Sequence, residues 1–232
     1  MTTLFDGRLA PLTYSICFLD APPKKVARAV TRYFRGGPTR WGRVTKLNGT
    51  LQGNLLKLQP LVVAARPKIL LTSTALEGWT AMFDGDAHGQ GVGQLASHMA
   101  CELKARGCFV AAAPPAAATG NKSLGGWQFH VLGPEQQLGY IRTIDLIENF
   151  PGRWEFETTG QPQPYEDLEA YKRPRYVDRF TEQMLTSYAT AVGLHPWEES
   201  FYHNPSYLIT NRTRTSYSYT LAQARTRLGL TN

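Results

Sequence analysis

The chain has 232 residues and only three cysteines, Cys17, Cys101 and Cys108. An odd number without paired spacing excludes a disulfide framework or a zinc ribbon and fits reduced thiols in a cytoplasm. No apolar run approaches the ~20 residues a membrane helix needs, so no membrane association is expected. Met1–Arg8 lacks a basic segment followed by an apolar one, so no secretory leader is expected either. Nucleophile elbow, HExxH pair, Walker or dinucleotide loop and kinase-like set are all missing. Ser97 and His98 are neighbours on a predicted helix and face different directions, so they form no dyad. Nothing here starts from a catalytic signature, and the sequence calls for no cofactor.

Negative charge is missing locally. No carboxylate occurs between Ala21 and Leu76. Residues 1–76 hold 12 Lys/Arg against two acids, residues 77–199 hold 9 against 16, and residues 200–232 hold four against none. The net +7 is the remainder of a segregated pattern. Such segregation acts on steering and orientation rather than on fold.

What is present is a regular central unit, residues 68–114. Ile69, Leu70 and Leu71 form a short apolar run suited to a buried strand, and Trp79, Ala81 and Phe83 share one side of a second. Val92, Leu95, Ala96, Met99, Ala100 and Leu103 recur at helical spacing, which predicts a helix over 93–105. Gly107 is read as its left-handed stop, followed by a strand from Cys108. Strand, helix and strand together suggest a βαβ crossover.

On either side the periods are equally readable. Tyr14, Ile16 and Phe18 alternate in a strand over 13–19, and Asp20 stands where it would cap the next helix. That helix, to about residue 34, has Val26, Ala27, Val30 and Phe34 on its apolar stripe. A strand over 40–47 and a short helix over 51–58 follow. After a small, Pro- and Gly-bearing excursion at 111–126 comes a strand over 127–132, whose His130 alternates to the polar side and reads as exposed. A hairpin of 139–148 and 153–158 then puts Trp154 and Phe156 on one side and Arg153, Glu155 and Glu157 on the other. Thr181 caps a helix through Val192. Trp197, Phe201, Tyr202 and Tyr207 are read as anchors of a loop, and Thr220 to Gln223 is a capping box. The expected fold is α+β: a mixed, largely antiparallel sheet covered by helices, with a C-terminal helical layer. Residues 1–160 form the core and 161–232 an extension packed on it, one domain overall.

Three groups of residues carry possible chemistry. Lys24, Lys25, Arg28, Arg32, Arg40 and Arg43 form a basic patch candidate; with Tyr33, Phe34 and Trp41 nearby it suits nucleic acid, against a patch for an acidic protein or a solvated basic face, which together are favoured. Arg173, Arg175 and Arg179 suit an anion clamp, against local pairing with Glu166, Asp167 and Glu169. Asp84, Asp86 and His88, in a glycine-rich loop before the central helix, are oxygen and nitrogen ligands for a metal, against a solvated turn.

The segments GWTAMFDG, the following glycine-rich loop and helix, and RWEFETTG…PYEDLEAYKRPRYVDRFTEQMLTSYATAVGL…FY resemble an uncharacterised, mainly actinobacterial family of cytoplasmic proteins. That resemblance implies a bacterial α+β domain and assigns no catalytic residue. In its aromatic-rich build the chain is similar to immunity proteins by analogy of style alone. The leading expectation is therefore a non-enzymatic protein-binding protein, of immunity or defence type, with an acidic partner. Nucleic-acid or anion binding by the basic N-terminal third stands second, and a metal-assisted hydrolase at residues 84–93 third.

Overall fold

Alternating apolar residues build one large sheet with both faces in use. The computed structural model describes residues 3–35, 42–63, 67–89, 91–114, 125–134, 139–211 and 217–230. Its strands are β1 (Ser15–Leu19), β2 (Gly42–Leu47), β3 (Leu61–Val62), β4 (Ile69–Thr74), β5 (Thr80–Asp84), β6 (Gly107–Ala113), β7 (Gly125–Leu132), β8 (Tyr140–Phe150), β9 (Arg153–Gly160), β10 (Tyr202–Asn211) and β11 (Ser218–Tyr219). Helices are α1 (Pro23–Arg35), α2 (Leu51–Leu55), α3 (Val92–Leu103), α4 (Glu182–Ala191) and α5 (Leu221–Arg227). The large sheet runs β2-β10-β4-β5-β1-β6-β7-β8-β9, and β11 pairs with β3 apart from it. The fold is α+β, as the periodicities predict.

Hydrogen-bonded neighbours in the large sheet are antiparallel throughout. The expected βαβ crossover therefore takes a split form. β5 and β6 run the same way, but β1 lies between them and pairs with both. α3 crosses over β1 and buries Leu95, Ala96 and Met99 with Cys17, Leu19, Met82 and Phe109. α1 extends the same cover over β4, β10 and β2 through Val26, Val30 and Phe34. On the opposite face Ile16, Phe18, Phe83, Val110, Phe129 and Ile144 pack against α2, α4 and the turns around Phe180 and Phe201. Burying one such aromatic or aliphatic side chain contributes ~1.5–3 kcal/mol.

Three expectations change here. Gly107 does not stop α3; Lys104 does, in the left-handed region at φ 51°. Gly107 opens β6, where a Cβ would stand 2.6 Å from the Phe18 carbonyl oxygen, so close strand approach requires glycine. Asp20 does not show the expected cap: its carboxylate accepts from Arg106 Nη2 at 3.1 Å. Residues 202–211 are not a loop but β10, seated between β2 and β4. Pro205 argues against a strand in the sequence. The register shift between His203 and Ser206 accommodates it.

The C-terminal layer is held by a buried charge pair. The side chains of Arg142, on β8, and Glu166 are 3% and 0% exposed. Arg142 Nε and Nη2 donate to the Glu166 carboxylate at 3.0 and 2.6 Å, while Nη1 donates to the carbonyls of Thr159 and Gly160. Glu166 also accepts from the Gln163 N–H and the Tyr171 hydroxyl. Burial, with the Tyr188 hydrogen bond behind it, holds the Tyr171 phenol well above its usual range, so it remains a donor. Removing one partner strands the other charge in the interior. Arg142→Met is expected to cost ~3–5 kcal/mol in urea denaturation, and adding Glu166→Leu to recover most of that loss. A single-variant loss below ~1 kcal/mol would show that the pair does not secure the layer.

Candidate functional site

The basic patch is created by the packing of α1 across a sheet edge. α1 turns Val26, Ala27, Ala29, Val30 and Phe34 inward, which leaves Lys24, Lys25, Arg28 and Arg32 outside. α1 packs against β2 and β10, and a groove of about 480 Å³ remains between helix and sheet. Lys24, Arg28 and Arg32 line one wall; Val44 and Tyr207 line the other. Lys46 stands opposite Tyr207 in register and shares the Val44 side of β2.

Among the described residues, Lys24, Arg28 and Lys46 have no ion pair. Arg32 bonds Glu102 at 3.1 Å, but the guanidinium is 75% exposed and such a pair contributes little. The groove is therefore a concentration of positive charge in which, among the described residues, only Arg32 has an ion-pair partner. β2 is also the last strand of the sheet on this side, so its outer backbone edge is open among the described residues.

The structure assembles this group only in part from the residues picked out by sequence. Lys24, Arg28 and Arg32 converge as expected. Lys25 is exposed outside the groove lining. Arg43 alternates to the other face, because Ile209 lies opposite Val44 and Thr210 opposite Arg43. Arg40 and Trp41 lie outside the described residues. Tyr207 joins the lining instead, and Lys46 lies outside it on the same side of β2. Tyr207 is beyond reach from sequence, because local patterning there gives a loop and not the strand that places it.

The other two candidates resolve into local structure. In the anion-clamp group, Arg173 Nη1 donates to the Asp178 carbonyl and Arg179 Nε to the Arg173 carbonyl. Arg179 also lies 4.5 Å over the Tyr176 ring, and Arg175 sits 3.7 Å from the Asp178 carboxylate. These contacts close the 173–179 turn. Glu166, expected to pair with these arginines, is taken by Arg142.

In the metal candidate, Asp84 Oδ1 accepts the Asp86 N–H and Asp86 Oδ2 accepts the His88 N–H, at 3.0 and 2.9 Å. The carboxylates are turned onto their own loop backbone, as short polar side chains do in turns. Among the described residues no three His, Cys, Asp or Glu side chains are placed to hold a metal. Asp84 is nevertheless unusual. It is 4% exposed, its Oδ2 has no partner, and a Cβ on Gly91 would stand 2.5 Å from that oxygen.

No family model, curated protein or solved structure matches this chain. What the groove does is therefore argued from its own geometry.

Burial pushes the Asp84 carboxyl up to about 7, opposed in part by the Asp86 N–H. A folded-state value above the unfolded one makes ionisation destabilising. The stability Asp84 contributes as a neutral acid is full below its unfolded value and is lost as pH rises through the folded one. Asp84→Asn is therefore expected to exceed the parent in stability by ~2–4 kcal/mol at about pH 8, with the gain gone by about pH 4. Denaturant titrations at both pH values check it; a gain independent of pH would mean that the ionised carboxylate is not the cause.

Proposed function

We propose that this protein is a non-catalytic binding protein that takes an acidic, extended segment of a protein partner along α1 and β2. The observation that carries this reading is the groove lined by Lys24, Arg28 and Arg32, with Lys46 on the same side of β2, beside an open strand edge. A partner strand added to β2 would gain main-chain hydrogen bonds, and alternate acidic side chains would meet the cations. Charge of one sign on the receiving surface speeds encounter and selects against basic partners. An immunity or defence factor is the narrower form of this proposal. A cytoplasmic setting is supported by the three free cysteines, and no described helix is long and apolar enough to cross a membrane.

The test is a titration of a glutamate-rich peptide of ~10 residues, prone to extended structure, over a series of salt concentrations. Binding should weaken as salt rises. The Lys24→Glu/Arg28→Glu double variant should lose at least ~10-fold in affinity, while Lys57→Glu, on the opposite side of the sheet, should not. Equal losses in both variants would reduce the effect to net charge. Tighter binding of a single-stranded oligonucleotide would move the groove to nucleic acid. Concentration-dependent sedimentation of the protein alone would identify another copy, offering its acidic β9 edge, as the occupant.

A further inference from the structure

A smaller concavity, about 220 Å³, lies between the first turn of α3 and strands β6 to β8, with Phe109, Gln128, His130 and Tyr140 in its lining. No Lys, Arg, Asp or Glu lines it. The His130 side chain, expected to be exposed, is only 12% exposed, and its Nε2 lies 2.7 Å from Asp145 Oδ1. Charge beside an open backbone edge is found instead at β2, and it stands on both sides of that strand.

Side chains alternate along β2. Val44 and Lys46 are on the side covered by α1, with Ile209 and Tyr207 opposite them on β10. Arg43 and Thr45 are on the other side, with Thr210 and Leu208 opposite. Arg43 is exposed, and among the described residues it has no ion pair. Because no carboxylate occurs between residues 21 and 76, neither α1, α2 nor β2 itself has an acid to offer it. A strand laid along β2 alternates in the same way, so successive residues face α1 and Arg43 in turn. An amphipathic strand satisfies one side only. With its carboxylates toward Lys24, Arg28, Arg32 and Lys46, it sets uncharged side chains beside Arg43, whose guanidinium then loses water without gaining an acceptor.

We infer, on the reading that the groove takes an acidic segment, that this segment carries carboxylates on both of its faces and comes from an unfolded acidic run of the partner. Carboxylates on one face meet the α1 cations and Lys46; those at the intervening positions meet Arg43. A strand of a folded sheet turns at least one face to its own core and cannot present acids on both. β9 of a second copy has that limit: Glu155 and Glu157 are exposed on one face, while Trp154 and Phe156 on the other pack against its own core. An acidic run of low hydrophobicity has no core to fill and stays unfolded until it binds. Ordering it on β2 offsets part of the binding energy, so its affinity is modest and falls with salt.

Two peptides of about 12 residues and identical composition, half Glu and half Thr, separate pattern from charge. One alternates Glu-Thr; the other repeats Glu-Glu-Thr-Thr. In the alternating peptide all glutamates share a face, and the register that sends them to the α1 side sets Thr beside Arg43. The paired peptide has glutamates on both faces. In fluorescence-anisotropy titrations of the full chain at one salt concentration, both should bind, and Lys24→Glu/Arg28→Glu should weaken both. Arg43→Gln should weaken the paired peptide about 3-fold, the scale of one cross-strand charge pair, and leave the alternating one unchanged. Arg43→Lys, which keeps the charge, should behave like the parent. The assignment is overturned, with the groove reading intact, if Arg43→Gln acts equally on both peptides or on neither, or if only the alternating peptide binds. If neither peptide binds, or if Lys24→Glu/Arg28→Glu changes nothing, the groove reading falls and this assignment with it. Self-association of the chain that Lys24→Glu/Arg28→Glu abolishes would put a folded strand in the groove and overturn the unfolded origin of the segment.

Discussion

The buried pair of Arg142 and Glu166 is the constraint from which the rest of the layout follows. An ion pair in the interior is tolerated only when its remaining hydrogen-bonding capacity is met. Here the Arg142 nitrogens are divided between the carboxylate and two carbonyls of β9, and Glu166 adds a backbone N–H and the Tyr171 hydroxyl. The arrangement ties residues 163–171 to one face of β8 and β9. Through the Tyr171–Tyr188 contact it also sets where α4 lies against β6 and β7. With that face closed by the C-terminal layer, the opposite face has, among the described residues, only α1 and α3 for helical cover. Two helices do not span nine strands. The basic groove therefore lies where helical cover ends at the outer side of α1, and a smaller cleft beside His130 lies at the outer side of α3.

The charge segregation of the chain becomes a polarity across the sheet. β2 with α1 forms a basic end, and the exposed side of β8 and β9 carries Asp145, Glu155 and Glu157. Charged edge strands resist pairing with their own kind, which keeps an open sheet from growing by like edges. The two ends also orient the molecule in the field of a charged partner before contact. An acid-free stretch of sequence is thus informative in a way net charge is not, because α1 and β2 derive from it together.

Legibility in the sequence followed the range of the interactions involved. α1, α3 and the β8–β9 hairpin were readable because a period of 3.6 or 2 is a local property, and Trp154 and Phe156 do oppose Glu155 and Glu157. Arg142 was not readable as a core residue: its partner is 24 positions away, and nothing local marks a charge that will be buried. β10 is not marked in the sequence, and the Pro205 it contains is accommodated by a register shift that only the pairing reveals. Gly107 was assigned the commoner role of a helix stop, whereas its cause is a carbonyl on β1, far away in sequence. The metal reading failed for a related reason. Asp84 and Asp86 have the right atoms at the right spacing, but one oxygen of each is turned onto its own loop backbone, and among the described residues no group of three such side chains is placed to hold a metal.

The split crossover explains why the glycine-rich loop lies beside the cleft without forming a metal site. Because β1 is inserted between β5 and β6, the chain leaving β5 must rise over the start of β1 before α3 can turn back. Ser15 on β1 fastens the loop by donating to the Gly89 carbonyl at 2.7 Å. That contact brings the first turn of α3 down over β6, where Gly93 lies against the Phe109 ring. Phe109 in turn packs on His130. The loop thus acts through placement: its glycines permit close passage over Asp84, and its acids organise the turn. His130, in the lining of the cleft, belongs to a strand that the sequence presents as ordinary. The chemistry and the glycines are neighbours in space because one strand separates β5 from β6.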